Sequence, residues 1–473
     1  MYPRPDFFPS STLNFAENLL YPSAVSDPSQ PAIIEANETS SHPISWTELR
    51  ERVRRCVLAL QNLSLGPGDR VAGFLGNTAN AVVAALAAAS IGVVWTGVSP
   101  DTGVHAVLER LVQIEPKVLF VDNGVGYNGR THPSGVKARG IVEGLTGKGL
   151  KAVVVFETVK GLESGVENLA EVVDEGAKAW KYQDFVDSVP NPDAPLTFTP
   201  LPSAHPLYIL YSSGTTGPPK CIVHSALGTL IQHKKEHIIH GDLRPADRLL
   251  YYTTTTWMMW HWLVSALSVG TTIVVYDGSP FRPAGEMTMP YLIDSLSITH
   301  FGTSAKYLSL LEQKHTQPLL PQPDGSPAAK LSTLRAIYST GSPLAPSTYQ
   351  YIYASFPPSI QLASITGGTD IISLFGAPNP LLPVYVGEIQ SPALGLSLLA
   401  VSPTGTPVSP SEPGDLVATV PFPAQPTTFF GASGDKKYYD AYFAAFPPLW
   451  HHADFISFVP HTEAGRKGTN NAA

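Results

Sequence analysis

Residues 81–98, AVVAALAAASIGVVWTGV, are long and charge-free, almost enough to cross a bilayer. The stretch divides in the middle. Its first part is rich in alanine, whereas its second part is β-branched and runs into a Gly/Ser/Pro turn, which predicts a buried helix feeding a buried strand. The strand-like VAGFLGN just before it completes a parallel α/β unit, so no membrane span is expected. With 473 residues the chain exceeds one ordinary core, and two or three subdomains are expected. Only 14% of residues are charged and the formal net charge is -8, which argues against general nucleic-acid binding and requires any anionic ligand to be met by local donors. Two cysteines, Cys56 and Cys221, support neither a disulfide framework nor a structural zinc site. The start, MYPRPDFFPSS, has no signal-like core, so the cytosol is the expected compartment.

Pro-rich seams lie near residues 189–206, 317–328, 376–383 and 402–413. Strand-like KVLFVD and KAVVVFE alternate with a helical stretch at 106–114, and TTIVVYD and ITHFGTS follow the first seam. The fold class is therefore α/β: one α/β subdomain over 1–195, a second over 196–378, a small β subdomain over 379–460 and a tail over 461–473. Within the β part, VYVGEI and GDLVATV read as short strands. The charge groups ELRERVRR and HKKEH mix sign and read as solvated helix faces, while His224 and His261 read as structural.

The loop YSSGTTGPPK, Tyr211 to Lys220, has the makeup of a phosphate cradle. Gly214 and Gly217 free the backbone to turn N–H groups toward an anion. Ser212, Ser213, Thr215 and Thr216 supply hydroxyls, and Lys220 supplies charge. It is not a Walker loop, because Pro219 stands where that pattern needs glycine. Taken alone, its composition suits an ordinary surface turn as well. Two further segments carry a plain reading beside a functional one. The run Trp257, Met258, Met259, Trp260 suits core packing, and Asp370 in ITGGTD suits a helix cap.

Together with FFPSSTLNFAENLL, TGVSPDTG, HFGTSAKYL, STGSPL, PLLPVYVGEIQ and WHHADF, these segments give a chain that resembles the adenylate-forming acyl-CoA synthetase superfamily, and more closely its acetoacetyl-CoA synthetase branch. The resemblance implies an AMP-forming ligase of small molecules that joins acetoacetate to ATP, releasing pyrophosphate, and then passes the acyl group to coenzyme A. It implies that the cradle holds the β and γ phosphates, that Thr369 contacts the α-phosphate, and that Asp370 binds Mg2+. It also implies that Asp454 accepts the ribose hydroxyls and that Gly341, Ser342 and Pro343 line the adenine. Trp257 to Trp260 would wall the acyl pocket, and Gly367 and Gly368 would leave room in it, since acetyl-CoA synthetases carry a bulky Trp at the place of Gly367. Here Ala453 precedes Asp454 where the family has glycine. The match covers the large N-terminal domain of such enzymes and stops before their mobile C-terminal lid, so the expectation is a chain impaired in catalysis. The alternative is an inactive nucleotide-binding remnant. A kinase or ATPase reading lacks both the Walker position and the kinase motifs.

Overall fold

The computed structural model describes residues 1–212 and 217–460. The charge-free stretch folds as its two halves predict: a helix, Ala79–Ser90, buried on almost every side, and a strand, Val94–Val98, with every residue buried. Gly92 between them takes φ 76°, a conformation that favours glycine. Among the described residues no helix is long and apolar enough to cross a membrane.

Two large sheets carry the α/β core. The first orders its strands Lys178–Lys181, Ala152–Phe156, Val118–Asp122, Arg70–Phe74, Val94–Val98, Pro206–Ser212, Lys220–Ser225 and Thr428–Phe429. All neighbours are parallel as far as Pro206–Ser212, which then turns back on Lys220–Ser225 as an antiparallel hairpin. The second sheet orders Gln361–Ser364, Ala336–Thr340, His300–Ser304, Arg248–Tyr251, Thr272–Asp277, Pro31–Asn37 and Ser41–Ser45, with only the last pair antiparallel. The largest apolar cluster takes Val71, Trp95 and Phe120 from the first sheet, Ile33, Leu249 and Ile273 from the second, and the whole run Ala81–Ala89. The alanine-rich helix is therefore packed into a core that both sheets share, and small side chains let them close over it. Separate clusters cover the outer faces, with Val107, Leu111 and Ile141 on the first sheet and Ile293, Leu308 and Ile352 on the second.

Sheet membership crosses the division expected at 195/196. The hairpin that carries the cradle belongs with residues 70–181, and the strands Pro31–Asn37 and Ser41–Ser45 belong with residues 248–364. A strand's own residues specify burial on both faces but not which neighbour supplies the next ladder. The third region holds an antiparallel sheet of Leu398–Val401, Gly414–Ala418 and Trp450–Ile456. GDLVATV supplies its middle strand, whereas VYVGEI forms no strand. Pro383 precedes it without an N–H to donate, Gly387 sits at φ 82°, and Glu388 N–H turns back to Tyr385 O at 3.1 Å.

The helix Trp46–Asn62 shows how locally legible the elements are. Ser45 accepts from Glu48 N–H at 3.1 Å to cap it, and Trp46, Leu49, Val53, Val57 and Leu60 fall on its buried stripe. The ELRERVRR charges lie opposite, paired as Glu48–Arg52 and Glu51–Arg54.

Candidate functional site

Three sheets meet at the site, each contributing one segment. The first gives the hairpin of the cradle, in which Ser212 sits directly across from Lys220. Ser213, Gly214, Thr215 and Thr216 lie outside the described residues. Gly217 is exposed with open space around it, and Lys220 is half-buried. The Lys220 ammonium faces two aromatic rings, Nζ standing 5.7 Å from the centre of Phe429 and 6.0 Å from that of Tyr442. Beside it a cavity of about 420 Å3 is bounded by Gly217, Lys220, Phe429 and Lys437.

Tyr442 links that cation to the acidic segment. It ends the helix Gly434–Tyr442 and stacks on Trp450 with ring centres 3.8 Å apart, and its hydroxyl donates to Asp370 Oδ1. Burial, with the Asp370 charge beside it, holds the phenol well above its ordinary pKa, so it remains a donor. Asp370 follows the short strand Thr366–Gly368, which pairs antiparallel with Ser373–Ala377. Thr369 is half-buried in the turn between them, where Ile371 N–H and Ile372 N–H reach back to Gly368 O and Thr369 O, each at 3.3 Å. Ile372 takes φ 49°, a left-handed conformation that costs a β-branched residue about 1–3 kcal/mol.

The third segment is the strand Trp450–Ile456. The His452 side chain is largely covered and Asp454 is exposed, with His452 Nε2 3.4 Å from Asp454 Oδ2. Burial lowers the pKa of His452, while the charges of Asp370 and Asp454 act in the opposite direction. One imidazole thus stands between both carboxylates. Beneath it Ile222, Ile371, Phe375, Phe429, Tyr442 and Trp450 form one apolar cluster that ties the three segments together. Lys220, Asp370 and Asp454 therefore converge, although 234 residues separate the first and last in sequence.

The remaining predicted residues distribute differently. Gly341, Ser342 and Pro343 form an exposed loop where Ala336–Thr340 leaves its sheet, with Gly341 at φ 89°. Ile365 N–H donates to Ser339 O at 2.9 Å, which holds this loop next to the strand that leads into Asp370. Of the run 257–260, Met258, Met259 and Trp260 are buried, and Trp260 Nε1 donates to Asn77 Oδ1 at 3.1 Å. Trp257 is 64% exposed. Gly367 lies so close to its neighbouring strand that a Cβ would stand 2.1 Å from Ser373 O, so the hairpin itself demands glycine there. A Cβ on Gly368 would instead meet His452 at an ordinary 3.6 Å.

HKKEH is not a solvated face. His233, Glu236 and His237 are fully buried, and the helix Ala226–Lys235 runs into a turn of π-helix, Glu236–His240, in which Gly241 N–H reaches back to Glu236 O at 2.8 Å. Mixed sign looked like solvation because the donors that satisfy Glu236 come from distant segments. His224 and His261 are buried, and desolvation pushes both down to about 3, so they are neutral at any ordinary pH. Tyr442, His452, Glu236 and the strained Ile372 were not singled out from sequence. Only His452, two residues before Asp454 in WHHADF, gave a local signal.

No group of three or more His, Cys, Asp or Glu residues among those described could by itself hold a metal ion. A lone carboxylate such as Asp370 still suits Mg2+, which characteristically takes one or two protein carboxylates and completes its shell with substrate phosphates and water.

The AMP-binding enzyme family matches residues 21–425. The chain is 50% identical over 477 residues to a malonamoyl-CoA synthetase of Penicillium aethiopicum, covering 98% of this chain and 63% of that protein. It is 44% identical over 462 residues to an acetoacetyl-CoA synthetase of Danio rerio, covering 97% of this chain and 66% of that protein. In structure it is similar to the acetoacetyl-CoA synthetase from Streptomyces lividans, with a TM-score of 0.87 at 37% identity over 96% of this chain and 67% of that one. The chain thus spans a little under two thirds of the length of the curated relatives it matches.

Proposed function

The chain belongs to the AMP-binding enzyme family, and from that footing we propose that it activates a short 3-carbonyl carboxylic acid, acetoacetate first among them, as an acyl-adenylate for transfer to coenzyme A. The observation that carries this reading is the convergence of Lys220, Asp370 and Asp454 around Tyr442 and His452. A carboxylate does not acylate a thiol in water. Attack of its oxygen on the α-phosphorus of ATP expels pyrophosphate, and the thiol sulfur later attacks the acyl carbon and expels AMP. The first step brings anions together and builds charge on the leaving group, so fixed donors stabilise it more than the ground state.

In this assignment the cradle, with Ser212, Gly217 and Lys220 among its described members, holds the β and γ phosphates, and Thr369 faces the α-phosphate. Asp370 would hold Mg2+, which would neutralise phosphate charge. The Tyr442 hydroxyl fixes the carboxylate through Oδ1. Asp454, exposed beside His452, accepts the ribose hydroxyls, and Gly341, Ser342 and Pro343 form the adenine wall. The acid lies between the hairpin at Gly367 and Gly368 and the segment beginning at Trp257. The names of the relatives favour an acid with a second carbonyl next to the methylene, since acetoacetate and malonamate share that group.

Acid-dependent exchange of labelled pyrophosphate into ATP by the purified chain tests the reading without requiring the thiol step. Exchange with acetoacetate or malonamate well above that with acetate is the expected result. A folded chain that exchanges with no acid would leave only nucleotide binding.

A further inference from the structure

We propose that Glu236 is a positioning residue that sets which acid the site prefers, by clamping the hairpin of Gly367 and Gly368 at a fixed distance from the helix that follows Trp257. This rests on the acyl-adenylate reading above. Glu236 is fully buried, and its carboxylate accepts from donors on several segments. Its Oε2 accepts from Trp262 Nε1 at 2.8 Å, and Trp262 lies on the helix Met258–Ser265. Its Oε1 accepts from the Ser373 hydroxyl and from Leu374 N–H at 3.3 Å, with Gln232 Nε2 and Lys235 Nζ each at 3.4 Å.

Ser373 and Leu374 pair directly with Gly368 and Gly367 across the hairpin. One carboxylate therefore joins the two walls between which the acid is assigned. The helix Ala226–Lys235, which leads into Glu236, grips the turn a second time, because His233 Nε2 is hydrogen-bonded to the carbonyl of Ile372, the residue held at φ 49°. A strained backbone persists only where its surroundings over-determine it, and here the bonds from His233 and Glu236 hold the Ile372 carbonyl and the two residues that follow it. The π-turn that begins at Glu236 is a rare local geometry, frequent at functional sites, and it starts at the residue that makes these bonds.

Glutamine cannot serve both walls. If its amide oxygen faces Ser373 and Leu374, its NH2 opposes the Trp262 indole N–H; turned over, it opposes Leu374 N–H. Glu236→Gln is thus a small change that must release one wall, and Ser373→Ala releases a single donor while leaving the carboxylate paired. The readout is binding of acetoacetyl- and acetyl-sulfamoyl adenosine, and of ATP, by calorimetry. The expected result is a fall of about tenfold in the preference for the acetoacetyl analogue in Glu236→Gln, the size of one lost buried hydrogen bond. A smaller fall is expected in Ser373→Ala, with ATP affinity unchanged in both. Retained preference in both folded variants, or parallel loss of ATP and analogue affinity, would overturn the assignment. If the unaltered chain binds neither analogue, the acyl-adenylate reading itself fails, an outcome visible before any variant is made.

Discussion

Ala453 sits at φ 66°, where an L side chain is strained and glycine is not, one residue before Asp454. Ala453→Gly is expected to stabilise the chain by up to about 1 kcal/mol, offset in part by the freer unfolded chain, and urea unfolding measures the difference. Tyr442→Phe keeps the stacking on Trp450 and removes the bond to Asp370, so exchange should fall by about tenfold while stability drops by only about 1 kcal/mol. Equal exchange in the two proteins would remove Tyr442 from the site. At the junction of the two sheets, Asp122 accepts from Gly76 N–H at 2.7 Å and from Thr158, yet burial pushes its carboxyl up to about 7, and desolvation likewise raises Asp277 to about 6. The folded state thus holds these protons more tightly than the unfolded chain, whose aspartates titrate near 4. The resulting stability is fully present below about pH 4 and is lost as pH rises toward 7. Asp122→Asn should flatten that part of a stability–pH profile. An unchanged slope between pH 4 and 7 would show that Asp122 does not titrate there.

At the scale of elements, the hairpin at 366–377 is the segment on which most of the site leans. Gly367→Ala forces a methyl group onto Ser373 O and should cost about 1–3 kcal/mol or abolish exchange, whereas Gly368→Ala meets only His452 at contact distance and should be tolerated. Thermal unfolding of the pair separates strand contact from any requirement for pocket space. The same element shows what the sequence could and could not convey. The acidic turn was legible in ITGGTD, because glycines beside a carboxylate carry a local chemical meaning. The reason for Gly367 was not, because the atom that excludes a side chain belongs to a residue six positions on. HKKEH failed for a related reason: mixed charge marks solvent exposure only when no donors arrive from elsewhere, and Trp262 and Ser373 supply them to Glu236. In contrast, the charges of ELRERVRR on the helix Trp46–Asn62 pair within about one turn, as Glu48–Arg52 and Glu51–Arg54, and that face could be read directly.

For the whole molecule, the strands of the two large sheets were more legible than the short ones, of which VYVGEI formed none, and strand partnerships were not legible. KVLFVD, KAVVVFE and TTIVVYD all form the strands their composition predicts, but nothing in Pro31–Asn37 announces that it pairs with Thr272–Asp277. A fragment of residues 1–195 would keep two strands of the second sheet, paired with each other but without Thr272–Asp277 to join them to the rest. It should show no cooperative unfolding transition by circular dichroism, while the intact chain does. A cooperative fragment would mean that the first sheet and its helices close without the cradle hairpin. The interleaving also bears on how the chain reaches its fold as it is synthesised. Ile33 meets Ile273 in the finished sheet, so at ordinary elongation rates an apolar strand emerges from the ribosome roughly ten seconds or more before its partner exists. Over that interval its unpaired edge is open to other nascent chains, and the yield of folded protein should depend on chaperone capture and on the pace of translation through residue 277.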